Sequence, residues 1–400
     1  MSLFLLYQYI ILAILIAILA NFIVNNIIFK NTKNYKLPKN TVDNPPLVSV
    51  LIPARNEEKN IYRCLRSLTK QDYPNIEILV LDDNSKDKTA NVVEKFASKD
   101  SRIKLICGKP LKAGWLGKSY ACHQLSENAK GDYLLFVDAD TLHFPDSVSS
   151  ALASLICNGL DALSVFPKQI KVTIHERMMV PCANFIILSF LPLILIKKTR
   201  HPLFCTAIGQ FMLFKRSVYE EIGGHESVKG EILDDVHISK QVKRCGYRFM
   251  IFDGRSNVYC RMYRNLKEVI RGYTRAIFAA FDYNILIQSI VIVLVFLIFL
   301  LPFILLPLGI FIFDWSGLII STIVLQIIII LAFKTVLAIR FKSRILEIFL
   351  HPLSMIYLIL ISINSIVYTK FGPGIIWKGR NYKVNTNGEE ELELIKEKEN

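Results

Sequence analysis

Hydrophobic positions follow two different patterns along this chain. Near its start and after residue 284 they form long runs, each long enough to cross roughly 30 Å of hydrocarbon. These runs cover residues 8–29, 285–313, 317–338 and 345–368. Between the first two runs the apolar stretches are mostly short and are separated by charged and amphipathic segments. The long runs predict membrane helices, whereas the middle of the chain predicts a folded domain with a polar surface.

The middle of the chain alternates between two kinds of segment. Short runs rich in Val, Ile and Leu predict buried strands, namely "LVSVLIP", "IEILVLDD", "RIKLICG", "YLLFVD" and "DALSVFPKQ". Amphipathic stretches between them predict helices, for example "NEEKNIYRCLRSLTKQ", in which Ile61, Leu65 and Leu68 share one face. Strands that alternate with helices predict an α/β fold with a doubly wound, mostly parallel sheet.

The run at residues 8–29 predicts an N-terminal transmembrane anchor within residues 1–30. A cleaved signal peptide would begin with basic residues, and here no Lys or Arg precedes the run. The three later runs predict a C-terminal transmembrane region over residues 285–370, with a kink or break at Pro302 and Pro307. The charged tail, residues 384–400, predicts disorder.

Basic residues flank the long runs unevenly and predict their orientation. They follow the first run, precede the second and lie between the third and fourth, at Lys30, Lys33, Lys36, Lys39, Arg261, Arg264, Lys267, Arg271, Arg275, Arg340, Lys342 and Arg344. The loop "DWSG" between the second and third runs has none. The positive-inside rule therefore predicts a multi-pass protein of the cell membrane whose middle domain faces the cytoplasm. Four crossings would place the basic ending "WKGRNYK" outside, so either the last run does not fully cross or the rule fails there.

The net charge of +14 bears on possible partners. Because Lys and Arg cluster beside the predicted membrane helices, anionic lipid is the simpler partner, and no nucleic-acid partner is expected. The eight cysteines form no CxxC pair, which is typical of reduced thiols in a cytoplasmic domain. No GxGxxG follows a strand, which excludes the dinucleotide-binding motif. The stretch "AGWLGKS" has Lys112 where a phosphate-binding loop needs glycine, which excludes that loop as well.

Acidic residues follow three of the predicted strands. They are Glu57 and Glu58 after the first, Asp82 and Asp83 at the second, and Asp138 and Asp140 at the fourth. The carboxyl ends of strands in such sheets form the edge at which ligands bind. An Asp-x-Asp on an extended segment directs both carboxylates the same way, which suits one hard divalent ion, Mg²⁺ or Mn²⁺, that holds a diphosphate. Helix capping and loop solvation are the alternative for these acids, most of all for Asp82 and Asp83.

Six segments carry a family resemblance. They are "VSVLIPARNEEKNI", "YPNIEILVLDDNSKDKT", "GKSYACHQ", "GDYLLFVDADT", "GQFMLFKRSVYEEIGG" and "LDDVHISKQVKRCGYR", and in this order they resemble the motifs of family 2 glycosyltransferases with the GT-A fold. The resemblance covers roughly residues 45–280, the expected catalytic domain. One N-terminal span, a C-terminal hydrophobic cluster and the segments "GWLGKSYA" and "WKGRNY" are similar to the membrane-bound members that glycosylate carotenoids or hopanoid-type lipids.

The resemblance implies a donor site for a UDP-sugar. Glu57 and Asp83 would contact the uridine, and Pro53 and Ala54 would form the wall near its base. Lys118 would lie near the nucleotide sugar, although a solvated helix start is its alternative role.

The resemblance also implies roles nearer the reacting atoms. Asp138 and Asp140 would hold the metal ion, Mg²⁺ or Mn²⁺, and Asp138 also the diphosphate. Asp235, the second acid of "LDD", would be the general base, since inversion at the sugar carbon needs a base and no covalent nucleophile. The family motif usually has Glu where Asp234 stands, and a helix N-terminus is the alternative role of both acids.

Processive polysaccharide synthases carry Gln-x-x-Arg-Trp after the base, whereas the nearest stretch here, "GYTRA", has neither Gln nor Trp. The resemblance therefore implies inverting, non-processive transfer of one sugar from a nucleotide-sugar, UDP-glucose, to a membrane lipid acceptor such as a carotenoid or other polyprenoid. The alternatives are a processive polysaccharide synthase and a nucleotidyl- or phospho-transferase that acts on a lipid. The latter would need several basic residues near the first strand, where only Arg55 occurs.

The stretch at residues 178–198 is nearly long enough to cross a membrane, but Pro181 and Pro192 interrupt it. It lies between the predicted metal motif and the predicted base, and a full crossing would put these on opposite sides. We therefore predict an interfacial or re-entrant helix that admits a lipid acceptor, with an ordinary buried helix as the alternative.

Overall fold

The computed structural model of the chain describes residues 3–372, 375–378, 380–383 and 393–397. These residues form two units that are interleaved in sequence. Unit 1 contains the described residues of Met1–Ile28, Lys171–Ile194 and Tyr263–Gly372, and unit 2 contains those of Phe29–Ile170, Leu195–Met262 and Pro373–Asn400. The chain therefore leaves unit 2 twice after entering it and returns to it each time. Residues 171–194 and 263–280, which the sequence assigns to the middle domain, belong to unit 1 instead.

The α-helices of the described residues alternate with strands in the middle of the chain and follow one another near its end. In chain order they are α1 (Leu3–Ile28), α2 (Lys39–Asp43), α3 (Ile61–Leu68), α4 (Thr89–Ala97), α5 (Gly117–Asn128), α6 (Ser147–Cys157), α7 (Ile174–Phe190), α8 (Leu193–Lys198), α9 (Arg216–Glu221), α10 (Asp234–Arg244), α11 (Leu266–Ala279), α12 (Ile285–Val295), α13 (Leu301–Phe311), α14 (Gly317–Arg340), α15 (Leu346–Phe349) and α16 (His351–Phe371).

Unit 2 is built around an eight-stranded sheet. Its strands are β1 (Val48–Ala54), β2 (Ile76–Asp82), β3 (Ile103–Cys107), β4 (Tyr133–Val137), β5 (Thr141–His143), β6 (Ala162–Gln169), β7 (Phe211–Lys215) and β8 (Phe249–Cys260). Their spatial order is β3-β2-β1-β4-β7-β6-β8-β5. The first four in that order are parallel, β7 is antiparallel to both of its neighbours, and β6 pairs with β8 in parallel. The prediction of an α/β fold with a mostly parallel sheet is confirmed.

The parallel half of the sheet forms the core of unit 2. Val50, Leu51 and Ile52 of β1 are fully buried, and because successive side chains of a strand point to opposite faces, both faces of the sheet are covered. A sheet buried on both faces explains why these strands read as continuous apolar runs. Helix α3 contributes its predicted apolar face, with Ile61 and Leu65 fully buried.

Unit 1 consists largely of apolar helices. Among the described residues, four helices are long and apolar enough to cross a membrane: Leu3–Ile28, Ile285–Phe311, Gly317–Arg340 and His351–Phe371. In the second of them a π-helical turn, Phe296–Leu300, precedes Pro302, which is the irregularity that proline predicts in a helix. Buried polar side chains join the helices, as where Gln326 of α14 donates to the side chain of Gln8 in α1 at 2.9 Å.

The stretch at residues 178–198 is divided between two helices. Helix α7 ends at Phe190 and α8 begins at Leu193, with Pro192 between them, while Pro181 lies inside α7. The side chain of Asn25 in α1 donates to the carbonyl oxygen of Leu188 at 2.8 Å, so α7 packs against α1 within unit 1. An interfacial or re-entrant position for this stretch stays a prediction.

A second, three-stranded sheet contains β9 (Ile375–Trp377), β10 (Arg380–Lys383) and β11 (Glu393–Glu397). β9 and β10 are antiparallel neighbours, and we refer to residues 375–378 and 380–383 as the C-terminal hairpin. Of the tail that the sequence predicts to be disordered, residues 384–392 and 398–400 lie outside the described residues. The prediction does not hold for β11, because its backbone pairs with β10.

Candidate functional site

Strands β1 and β2 bring the first group of predicted site residues together. Ala54 pairs with Asp82 in the parallel register, and the N–H of Asp83 donates to the carbonyl oxygen of Ala54 at 2.8 Å. After β1 the chain turns at Asn56, whose φ of 53° is in the left-handed region that asparagine tolerates. The loops after β1 and β2 meet where the N–H of Asn56 donates to the hydroxyl of Ser85 at 2.9 Å.

Strand β4 places Asp138 beside the same edge, since Leu51 of β1 pairs with Phe136. Helix α5 begins at Gly117, and the ammonium of the next residue, Lys118, lies 2.8 Å from a carboxylate oxygen of Asp138. Burial opposes the charge of Lys118, but the carboxylates of Asp138 and Asp234 outweigh it and raise the pKa of the ammonium above its ordinary value. The lysine is therefore a fixed cation at the end of β4.

Asp140 lies in a setting of like charge. Burial, followed by the carboxylates of Asp138 and Glu57, raises the pKa of Asp140 to about 7. One of its carboxylate oxygens, Oδ1, is buried without a hydrogen-bond partner. A buried acceptor among like charges is the setting in which a cation is favoured.

Asp235 lies in the first turn of α10, facing the loop before β7. Its two carboxylate oxygens accept the backbone N–H groups of Gly209, at 2.7 Å, and Val236, at 2.8 Å. A side chain at Gly209 would meet Nζ of Lys118 at 3.1 Å, so glycine allows the backbone to approach this closely. Burial and the neighbouring Asp234 raise the pKa of Asp235 to about 6. A carboxyl group with this pKa can exchange a proton near neutral pH.

His225 is a site residue that sequence reasoning missed. Its Nε2 lies 4.0 Å from a carboxylate oxygen of Asp234, and its Nδ1 shares a hydrogen bond of 2.7 Å with the hydroxyl of Tyr219. Burial lowers the pKa of His225 to about 3, so the ring is neutral. No motif in the sequence marks this histidine, because it contributes through its position in the fold.

A small recess opens between these elements. Four predicted site residues, Pro53, Lys118, Asp138 and Asp235, line it. The rest of the lining consists of Cys122, Phe136, Val137, Gly209, Met212, His225 and Asp234. Ala54, Glu57, Asp83 and Asp140 are outside that lining. Ala54 has a buried side chain and reaches the site through its carbonyl oxygen.

Sequence reasoning also missed the contacts of the C-terminal hairpin. The ammonium of Lys378 lies 2.6 Å from a carboxylate oxygen of Glu57. The guanidinium of Arg380 donates to both carboxylate oxygens of Asp83, at 2.5 and 2.9 Å. The only available signal was the basic ending "WKGRNYK", whose side of the membrane the sequence left open.

Arg55 completes the cationic surroundings of Asp83. Its guanidinium donates to the carbonyl oxygen of Asp83 at 2.6 Å and lies 4.0 Å from a carboxylate oxygen of the same residue. Lys378 also accepts, through its carbonyl oxygen, a hydrogen bond of 3.1 Å from Arg55. Asp83 is thus held by guanidinium groups from two distant parts of the sequence.

Asp138 and Asp140 fit a divalent ion only with help from a substrate. Among the described residues, no group of three or more His, Cys, Asp or Glu side chains is arranged to hold a metal ion. Mg²⁺ is commonly bound by one or two carboxylates together with phosphate oxygens and water. The hard carboxylate oxygens and the unpartnered Oδ1 of Asp140 match that requirement.

Parts of this chain are similar to known proteins. Residues 49–223 match the family described as Glycosyl transferase family 2. The 4,4'-diaponeurosporenoate glycosyltransferase of Staphylococcus haemolyticus (strain JCSC1435) is 28% identical over 233 residues, which is 57% of this chain and 60% of that protein. The protein of the same name in Staphylococcus aureus (strain USA300) is 26% identical over 253 residues, 61% of this chain and 64% of that protein. The matched region thus spans less than two thirds of the length of these curated relatives.

A solved structure shows the same fold. The mannosyltransferase PcManGT from Pyrobaculum calidifontis, in complex with GDP-Man and Mn²⁺, superposes with a TM-score of 0.51 at 20% sequence identity, covering 90% of this chain and 99% of that chain. Together, the strand order and this shared architecture show the GT-A fold, and residues 49–223 within it match the model of the Glycosyl transferase family 2.

Proposed function

We propose that this protein transfers a single sugar from a UDP-sugar, UDP-glucose, to the polar end of a membrane lipid, with inversion at the sugar carbon. The observation that carries the proposal is the convergence of Lys118, Asp138 and Asp235 on one recess. Glu57 and Asp83 lie at the ends of the neighbouring strands. Lys118 thus provides a cation on the nucleotide-binding side, and Asp235 provides an acid whose pKa is near neutrality.

On the donor side, Glu57 and Asp83 accept hydrogen bonds from the uridine, and the assignment of uridine rests on the motif resemblance. Pro53 lines the recess and provides an apolar wall for the base. Ala54 supports that wall through its backbone hydrogen bond with Asp83. The ammonium of Lys118 stabilises the negative charge of the diphosphate.

Asp138 and Asp140 would hold Mg²⁺ or Mn²⁺. When bound, such an ion neutralises the charge that develops on the diphosphate as it departs. The raised pKa of Asp140, which follows from burial and from the carboxylates of Asp138 and Glu57, supports this proposal because a cation would relieve the same repulsion.

Asp235 is the proposed general base. It accepts the proton of an acceptor hydroxyl while the acceptor oxygen forms a bond to the anomeric carbon of the sugar. The bond from that carbon to the diphosphate oxygen breaks on the opposite face, and UDP leaves with the electron pair. The backbone N–H groups of Gly209 and Val236 donate hydrogen bonds to Asp235 and hold its carboxylate in place for this proton transfer.

The acceptor side of the proposal rests on unit 1. Its apolar helices offer an environment for a lipid chain, and the exposed basic side chains of Lys267 and Arg271 in α11 suit anionic headgroups. The names of the relatives from Staphylococcus favour a carotenoid-type or other polyprenoid acceptor.

The path of the chain supports a topology in which unit 2 lies on one side of the membrane. Residues 263–372 leave unit 2 and the C-terminal hairpin returns to it, so this segment crosses an even number of times. We assign Ile285–Phe311 and Gly317–Arg340 as the crossing pair and place His351–Phe371, the least apolar of the four helices, at the membrane surface. The positive-inside rule then puts unit 2 in the cytoplasm of a multi-pass membrane protein.

Cysteine labelling in intact cells tests this topology. Cys107, Cys157 and Cys245 are exposed, whereas Cys64 is buried and reports nothing. A reagent that cannot cross membranes should label the three exposed thiols only after lysis. In a variant with those three replaced by serine, Phe313→Cys should be labelled from outside and Phe371→Cys only after lysis. Labelling of Phe371→Cys in intact cells would contradict the surface position of α16.

The transfer reaction itself tests the proposed function. The purified full-length chain is incubated with UDP-glucose, Mg²⁺ or Mn²⁺, and vesicles that contain a hydroxyl- or carboxyl-bearing polyprenoid or carotenoid. Mass spectrometry should show the lipid with one added hexose, and for the hydroxyl-bearing acceptor the Asp235→Asn variant serves as the control. A ladder of hexoses would indicate a processive synthase, a phosphorylated lipid would indicate phosphoryl or nucleotidyl transfer, and the absence of product with any UDP-sugar would contradict the proposal.

A further inference from the structure

The C-terminal hairpin contacts three separate elements that carry the proposed donor-binding residues. Lys378 pairs with Glu57 after β1, and Arg380 pairs with Asp83 after β2. The hydroxyl of Tyr382 accepts the N–H of Gly117 at 3.2 Å, the residue that begins α5 and precedes Lys118. We infer that the C-terminal hairpin is part of the donor site and that Arg380 is a positioning residue that orients Asp83 toward the nucleotide. This inference rests on the proposed function.

The burial of the Arg380–Asp83 pair supports a defined role. The side chains are 2% and 7% exposed, so both charges have lost most of their contact with water. Desolvation of this kind is costly unless the pair has good geometry and further hydrogen bonds. The two parallel N–H···O bonds of Arg380 provide that geometry.

The hydrogen-bonding capacity of Asp83 decides between an orienting and a blocking role. An ionised carboxylate has about four lone-pair sites on its two oxygens. Arg380 occupies one site on each oxygen, which leaves acceptor sites on both oxygens for N–H or O–H donors of a nucleoside. The guanidinium thus fixes the plane of the carboxylate and leaves lone pairs on both of its oxygens.

The balance of charge at the site also supports a role for the C-terminal hairpin in donor binding. The carboxylates around it are Glu57, Asp83, Asp138, Asp140, Asp234 and Asp235. The cations that pair with them among the described residues include Lys118 in α5, Arg55 after β1, and Lys378 and Arg380 in the hairpin. Without the hairpin, more of the negative charge would remain to repel an anionic diphosphate.

The chemistry of arginine makes the inference specific. A guanidinium presents a planar fork that matches a carboxylate, whereas the ammonium of lysine is a point charge without a preferred plane. Arg380→Lys should therefore keep the charge at Asp83 but lose its orientation.

Calorimetric titration with UDP in the presence of Mg²⁺ tests the inference on the full-length protein in detergent or nanodiscs. Loss of the charge-assisted hydrogen bonds should weaken UDP binding about tenfold to a hundredfold in Arg380→Ala. Arg380→Lys should lie between this variant and the natural protein. With a transfer assay, KM for the donor should rise while kcat at saturating donor changes little.

Arg102→Ala is the matched control. Arg102 also pairs with an aspartate through two of its nitrogens, at 3.0 and 2.7 Å from Asp100, but it precedes β3, at the end of the sheet opposite the site. This variant should lose thermal stability and keep the UDP affinity of the natural protein. If Arg380→Ala fails to fold, Arg380→Lys and Lys378→Ala, both expected to weaken UDP binding, still test the inference.

A double variant shows whether Arg380 acts through Asp83. In an Asp83→Asn background, Arg380→Ala should weaken UDP binding much less than it does alone. Fully additive losses would overturn the positioning role. Tighter UDP binding by Arg380→Ala would identify the hairpin as an inhibitory cover, and unchanged affinity with a lower unfolding temperature would identify a structural tether; either result overturns the inference. If the natural protein binds no UDP, the proposed function is overturned as well. This outcome is therefore distinguishable from failure of the inference alone.

Discussion

Asp83 and Asp235 are acids of the same domain, the first buried and the second half-buried, and their surroundings differ. Asp83 lies between the guanidinium groups of Arg55 and Arg380. Asp235 accepts two backbone N–H groups and lies beside another acid, Asp234, which together with burial raises its pKa to about 6. The surroundings therefore set the role of each acid: a carboxylate among cations is suited to bind a ligand, and one beside another acid is suited to exchange a proton.

Asp235→Asn should have the largest effect. Loss of a positioned base should slow single-turnover transfer to a hydroxyl-bearing acceptor by roughly 10²–10⁴-fold, while the affinity for UDP stays nearly unchanged. Because both oxygens of Asp235 accept N–H groups, the amide also loses one hydrogen bond, which should lower stability by about 1 kcal/mol. Thermal unfolding separates this loss from the loss of chemistry.

The acceptor provides the control for that variant. A carboxyl-bearing acceptor is already ionised at neutral pH and gives no proton to a base, so Asp235→Asn should slow its transfer far less. Equal slowing with both acceptors would contradict the assignment of Asp235 as the base. Weak UDP binding by Asp235→Asn, with normal transfer at saturating donor, would show that Asp235 binds the nucleotide as Asp83 does. Asp234 would then be the first candidate for the base.

Asp140→Asn tests the proposed metal site between these two acids. Removal of one of two carboxylate ligands should weaken Mn²⁺ binding in the presence of UDP by about tenfold or more. Titration of Mn²⁺ by electron paramagnetic resonance measures this without relying on activity. Full transfer activity of the natural protein in excess chelator would contradict the assignment of Asp138 and Asp140.

Asp83→Asn should have the opposite profile to Asp235→Asn. Loss of a charged acceptor should weaken UDP binding about tenfold to a hundredfold, while single-turnover transfer at saturating donor changes less than about threefold. Asp82→Asn is a matched control, since Asp82 accepts the N–H of Ser85 within its own turn. A slowed chemical step in Asp83→Asn at saturation would show that the two acids share a role.

The pH dependence of transfer should show the smallest effect. Asp235 acts as a base only when deprotonated, and its pKa is raised to about 6. The protonated fraction therefore grows below this value, and single-turnover transfer to a hydroxyl acceptor should fall about tenfold per pH unit there and be level above about pH 7. The residual rate of Asp235→Asn should lack this dependence, and an unchanged profile in that variant would assign the pKa to another group.

Several features of the site could be predicted from local sequence because they follow from strand topology. The apolar runs of β1, β2 and β4 are buried strands, and parallel strands bring their carboxyl ends to one edge of a sheet. That rule predicts that Asp83 and Asp138 lie at the same edge of the sheet. It could not predict the amide contacts of Gly209 with Asp235 or the position of His225, because these depend on how loops from distant segments pack.

The sequence alone therefore determined the kind of fold, the apolar helices and the acids at the strand ends, since each is encoded in residues that are close together in the chain. Tertiary structure alone decided the partners of those acids. Asp83 and Arg380 are 297 positions apart, and hydropathy left open whether they lie on the same side of a membrane. The apolar stretch of His351–Phe371 is long enough to cross a bilayer or to lie along it, so its length does not decide between the two. That choice depends on where the following residues find partners, and an ion pair formed across the fold leaves no local pattern in the sequence.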